Sequence, residues 1–118
     1  MPPEEDDRAT LVDMLEFVRE IGTFVEGRSR QDLDTDRTLL RALERMLELV
    51  GECARRVSEG TRTAYPDIPW RAMIGMRNII AHEYGRVDLD LVWRTAQRDM
   101  PPVTAALEFV VASLPPPR

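Results

Sequence analysis

The sequence predicts an all-α domain, an antiparallel bundle of four to five helices. Apolar residues recur at spacings of three and four along most of the chain, and no segment shows persuasive strand-type alternation. Short polar or proline- and glycine-bearing links separate the periodic stretches, which favours antiparallel neighbours. The expected organisation is a flexible acidic tail at 1–7, the bundle domain at 8–114 and a flexible tail at 115–118.

Leu11, Leu15, Val18, Ile21 and Val25 form the stripe of a first helix near 8–26, which Gly27 can end. A polar link from Arg28 to Asp34 follows, with room for one short turn. The second helix carries Leu39, Leu43, Met46, Val50, Cys53, Ala54 and Val57 on one face. It starts near Thr35 or Asp36 and ends by Gly60 or shortly after, with Arg41/Glu44 and Glu52/Arg56 at helical pair spacings on its wetter side. Pro69 can take the first position of a third helix, where its missing N–H costs nothing. That helix runs from about Trp70 to His82 or Tyr84, and Gly85 stops it. Asp88 caps a fourth helix with Leu89, Val92, Trp93 and Ala96, which Asp99-Met100-Pro101-Pro102 breaks. A fifth segment holds Val103, Leu107, Val110, Val111 and Leu114.

Composition narrows the classes of function. A chain of 118 residues suits one hydrophobic core. No run approaches a membrane span of roughly 18 apolar residues, and the acidic N-terminus is the reverse of a secretory leader, so a cytoplasmic protein without membrane contact is expected. Cys53 is the only cysteine, which excludes an intrachain disulfide, and its place on an apolar face marks it as a small buried hydrophobe. With one His and one Cys, a standard zinc site is not expected. Net charge is −5, against broad polyanion binding. Every basic residue is arginine, however, and arginine is the better fork for phosphate oxygens. Arg55, Arg56 and Arg62, then Arg71, Arg77 and Arg86, make two locally basic segments that leave room for a confined phosphate site.

The third helix concentrates the chemistry. Met73, Met76, Ile79 and Ile80 fill one broad side, while Trp70, Ile74 and Ala81 lie roughly opposite. A helix apolar on two sides is covered on two sides, either by a second copy in a homodimer or by the rest of its own chain. A narrow polar stripe of Arg71, Gly75, Asn78 and His82 runs between, with Gly75 leaving open space. His82 is the only histidine, the side chain suited to proton transfer near neutral pH. Cleavage of RNA needs a base for the 2′-hydroxyl proton and positive charge on the phosphorane oxygens. His82 fits the first role and Arg77 the second, with Asn78 and Arg71 in support. Five residues place Arg77 about 140° from His82 around a helix. Convergence therefore requires either an unwound helix end or Arg77 of one subunit meeting His82 of its mate. Equally, His82 can be a plain helix-end group and Arg77 a structural partner of a carboxylate.

Arg77, four residues, His82, one residue, Tyr84 resembles the Arg-x4-His-x-Tyr motif of the HepT-like toxins in the HEPN superfamily. Val50-Gly51-Glu52, Tyr65-Pro66-Asp67-Ile68-Pro69-Trp70-Arg71, Met76-Arg77-Asn78 and Val87-Asp88-Leu89-Asp90-Leu91-Val92-Trp93 are similar to the same family, over roughly Leu11 to Leu114. The resemblance implies a HEPN-type helical bundle and a homodimer whose cleft joins two motifs. It also implies metal-independent endoribonuclease activity through Arg77 and His82, with no cofactor of the chain's own. The toxin of such a type VII toxin–antitoxin pair is neutralised by an MntA-like minimal nucleotidyltransferase, which uses ATP and Mg²⁺ to place AMP on the tyrosine matching Tyr84. The alternative is a non-catalytic helical binding partner of a nucleotidyltransferase, a reading that the net acidity favours.

Overall fold

The computed structural model describes residues 3–83 and 85–114, with side chains from Asp7 onward, and every regular element among them is helical. The elements are α1 (Pro3–Val25), α2 (Asp32–Thr35), α3 (Arg37–Arg56), α4 (Glu59–Ala64), α5 (Trp70–His82), α6 (Leu89–Arg94), a π-helical turn (Thr95–Asp99) and α7 (Met100–Ser113). The expected tail at 115–118 and Tyr84 lie outside the described residues. No helix among those described is long and apolar enough to cross a membrane.

The central helix is α3, which packs against α1 on one side and α5 on the other, while α1 also carries α7. Its strong amphipathicity explains this position: Leu43, Leu47, Val50 and Ala54 are buried at helical spacing. Leu11, Met14, Val18 and Ile21 of α1 meet them, as do Met73, Met76 and Ile80 of α5. Asp36 starts α3 by accepting the Leu39 N–H at 3.0 Å, as the sequence suggested. Cys53 is 1% exposed, and burial pushes its thiol pKa up, as befits a core residue.

Three boundaries differ from the sequence reading. The first helix begins at Pro3, and Asp7, expected in a loose tail, is only 4% exposed. Its carboxylate accepts hydrogen bonds from the Ser58 N–H (3.0 Å), the Ser58 hydroxyl (2.6 Å) and the Thr61 hydroxyl. These groups belong to the start of α4, so a long-range anion satisfies donors that a helix N-terminus leaves open. Second, α3 stops at Arg56 rather than near Gly60, because Ser58 caps a separate helix in which Gly60 is an interior residue.

The third difference concerns the expected break at Asp99–Pro102. The chain stays helical there from Leu89 to Ser113. A proline ring collides with the carbonyl four residues earlier and lacks an N–H. Here the backbone widens into a π turn just upstream, with the Met100 N–H reaching back five residues to the Thr95 carbonyl. Pro101 and Pro102 then fall in the opening turn of α7, where proline is tolerated.

Candidate functional site

α5 is entered through a tight turn. Pro69 occupies the N-cap rather than the first helical position, and its carbonyl accepts the Met73 N–H at 3.1 Å. The Trp70 indole N–H donates to the Tyr65 carbonyl at 3.0 Å, so Trp70 is buried by its own chain. At the other end Glu83 caps the helix, and Gly85 takes φ +81°, a left-handed conformation that suits glycine. Asp88 then caps α6 by accepting the Asp90 N–H at 2.9 Å.

Where α5 crosses α3, the backbones approach at Gly51. A Cβ there would lie 2.3 Å from the Arg77 Cβ and 2.6 Å from the Met73 carbonyl oxygen. This contact fixes the height of Arg77 against α3 and brings its side chain beside Glu52. Arg77 Nε donates to Glu52 Oε2 at 3.0 Å, and Arg55 Nη2 donates to Glu52 Oε1 at 2.6 Å. Glu52 therefore pairs with Arg55 and Arg77, not with Arg56 as helix spacing suggested; Arg56 instead approaches the Cys53 sulfur. The hydrogen bond and charge of Arg55, followed by those of Arg77, hold the Glu52 carboxyl below the usual glutamate range despite partial desolvation.

Asn78 joins the two candidate catalytic residues. Arg77 Nη1 donates to Asn78 Oδ1 at 3.1 Å, while His82 Nδ1 lies 2.9 Å from the Asn78 backbone carbonyl. A carbonyl only accepts, so Nδ1 carries the proton in this contact and Nε2 of the neutral ring keeps its lone pair. The Asn78 amide nitrogen, turned away from its own engaged oxygen, remains able to donate. His82 and Asn78 are exposed, and Arg77 is 25% exposed in its side chain. The helix does not unwind before His82, so the angular separation of Arg77 and His82 within one protomer persists.

Arg71 is not brought to this group. It is exposed in the first turn of α5, eleven residues from His82, or about 16 Å along the axis. Gly75 does leave open space, but on an apolar groove of about 510 Å³ between α5 and the π turn, lined by Met76, Ile79, Leu91 and Met100 among others. Ile79, at 40% exposure, is the largest uncovered apolar group on α5. Of the two apolar sides expected for this helix, the one bearing Trp70 is closed only at Trp70, since Ile74 is half-buried and Ala81 exposed, while the side bearing Ile79 is partly open. Glu52 and Arg55 escaped the sequence reading as site residues. A contact spanning 25 residues leaves no local spacing by which to find it.

The family model described as "Ribonuclease HepT-like" matches residues 14–110. A Methanocaldococcus jannaschii protein named "Putative RNase MJ1380" is 30% identical over 107 residues, covering 91% of this chain and 98% of that one. A Thermococcus cleftensis protein named "Probable ribonuclease HepT" is 31% identical over 98 residues, covering 83% and 89%. No solved structure matches the chain significantly. With most of its length matched by the family model and by relatives of similar size, the chain belongs to the HepT-like ribonuclease family.

Proposed function

We propose that the protein is a cytoplasmic, metal-independent endoribonuclease toxin in which Arg77 and His82 carry the chemistry. The observation that supports this most is the anchoring of His82 Nδ1 on the Asn78 carbonyl, which leaves Nε2 as an exposed proton acceptor. In the reaction His82 Nε2 takes the proton of a ribose 2′-hydroxyl. The 2′-oxygen bonds to the adjacent phosphorus and the P–O5′ bond breaks, giving a 2′,3′-cyclic phosphate and a 5′-hydroxyl. Arg77 neutralises the negative charge that builds on the phosphorane oxygens. Asn78, through its amide nitrogen, supports the same phosphate. Arg71 contacts RNA outside the reacting group.

Two copies complete the site. Within one helix Arg77 and His82 diverge, so a homodimer supplies the missing partner to each, and a second, protonated His82 delivers the proton that the 5′-oxygen requires. The partly open side of α5 around Ile79 supplies apolar surface for such an association. Regulation follows from charge. An MntA-like minimal nucleotidyltransferase, using ATP and Mg²⁺, attaches AMP to Tyr84, and the added negative charge and bulk compete with an RNA phosphate beside His82.

Purified wild type and His82→Ala, incubated with RNA and a chelator, test the reading. Cleavage with cyclic-phosphate ends is expected from wild type, and the variant should lose on the order of 100-fold or more. Equal, negligible cleavage by both would favour the non-catalytic partner of a nucleotidyltransferase. Light scattering should find a dimer. Mass spectrometry after incubation with the transferase and ATP should find adenylate on the peptide holding Tyr84, and an unmodified peptide would remove the regulatory claim.

A further inference from the structure

Glu52 holds two arginines from two different helices, one on each carboxylate oxygen. Arg77 reaches Oε2 from α5 and Arg55 reaches Oε1 from α3, at 3.0 and 2.6 Å. Two guanidinium groups bound to the two ends of one carboxylate must stand several ångströms apart, which is the scale of adjacent phosphates along one nucleic-acid strand. Neither arginine is exhausted by these contacts. Of five N–H donors each, Arg77 gives one to Glu52 and one to Asn78, and Arg55 gives one to Glu52. Both remain reachable: the side chain of Arg55 is 55% exposed and that of Arg77 25%. The cluster carries two cations against one anion, so it attracts phosphate even though the chain as a whole is acidic.

Resting on the ribonuclease reading above, we propose that Arg55 binds the phosphate next to the scissile one. Glu52 acts as the positioning residue that sets the spacing between Arg55 and Arg77. The ligand is a single-stranded RNA of at least two consecutive phosphates, read by its backbone and not by its bases. Glu52 restricts both guanidinium groups before RNA arrives, so less side-chain freedom is lost on binding. Its carboxylate is kept ionised by the same two cations, which makes the bridge stable at neutral pH.

Salt-dependent binding of an RNA oligomer, measured in a His82→Ala background so that nothing is cleaved, tests this. Each phosphate contact contributes about 0.7 to the slope of log affinity against log salt for a single strand. Arg55→Gln should lower that slope by about 0.7 and weaken binding several-fold. Arg19→Gln removes the same charge from α1, where Arg19 faces Glu108 at 3.6 Å, and should leave the slope unchanged. Glu52→Gln removes a repelling charge and keeps both cations, so the slope should not fall; binding that nonetheless weakens is expected from lost spacing, and binding that tightens would overturn the positioning role. If the Arg55→Gln slope equals that of its parent, the second phosphate contact does not exist. If the parent binds no RNA at all, it is the ribonuclease reading that fails.

Discussion

Replacing Gly51 by alanine turns the close approach of α3 and α5 into a test. The added methyl would sit 2.3 Å from the Arg77 Cβ and 2.6 Å from the Met73 carbonyl oxygen. Ordinary carbon contacts begin at about 3.5 Å, so the crossing must open by roughly 1 Å. Neither obstructing atom is the far end of a flexible side chain: one is a Cβ and the other is helix backbone. Separation of α3 from α5 is therefore the response, and it loosens Val50, Ala54, Met73 and Met76 together. Overpacking of this sort costs about 3 kcal/mol at the upper end of its usual range. Alanine's better helix propensity offsets about 1 kcal/mol, leaving a net loss of about 2 kcal/mol. Urea unfolding of Gly51→Ala against wild type measures this, and thermal melting should fall by roughly 8 °C. Because Arg77 moves with the crossing, RNA cleavage should drop as well. A variant as stable as wild type, or more stable by the propensity gain alone, would refute the close-approach argument.

Other outcomes follow from the same contacts. Asp7→Ala leaves the Ser58 N–H and the Thr61 hydroxyl short of an acceptor, so chemical denaturation should show a loss of about 2 kcal/mol, and wild-type stability would return Asp7 to a loose tail. Glu52 has a depressed pKa in the fold, so the unfolded chain binds its proton first on acidification. Its contribution is thus full above the ordinary glutamate value and is lost as pH falls through the depressed one. Glu52→Gln should flatten the acid limb of a stability–pH curve, and an unchanged limb would mean that the bridge to Arg55 and Arg77 adds nothing. Nitrogen NMR at alkaline pH should find the His82 proton on Nδ1, and an Nε2–H tautomer would contradict the Asn78 anchor.

Much of the architecture was legible because helical periodicity is local. The stripe on α3, the Asp36 and Asp88 caps and the Gly85 stop each depend on residues within a turn or two of one another. Local signals failed where a distant group decided the outcome. Asp7 reads as part of an acidic tail until Ser58 and Thr61 come into reach, and their hydrogen bonds are what bury its carboxylate. The Met100-Pro101-Pro102 run reads as a break, yet one widened turn accommodates both rings.

The candidate site divides along the same line. From the order of residues alone came the helical class, the choice of Arg77 and His82, and the prediction that one straight helix keeps them apart. The place of Asn78 one turn before His82 was legible too, whereas folding added what no spacing encodes: a glycine that lets two backbones touch and a carboxylate shared by Arg55 and Arg77. Sequence fixes which side chains a helix presents at each angle, because the backbone repeat is rigid. Which of them meet across two helices depends on where those helices cross, and the packing at Gly51 set that.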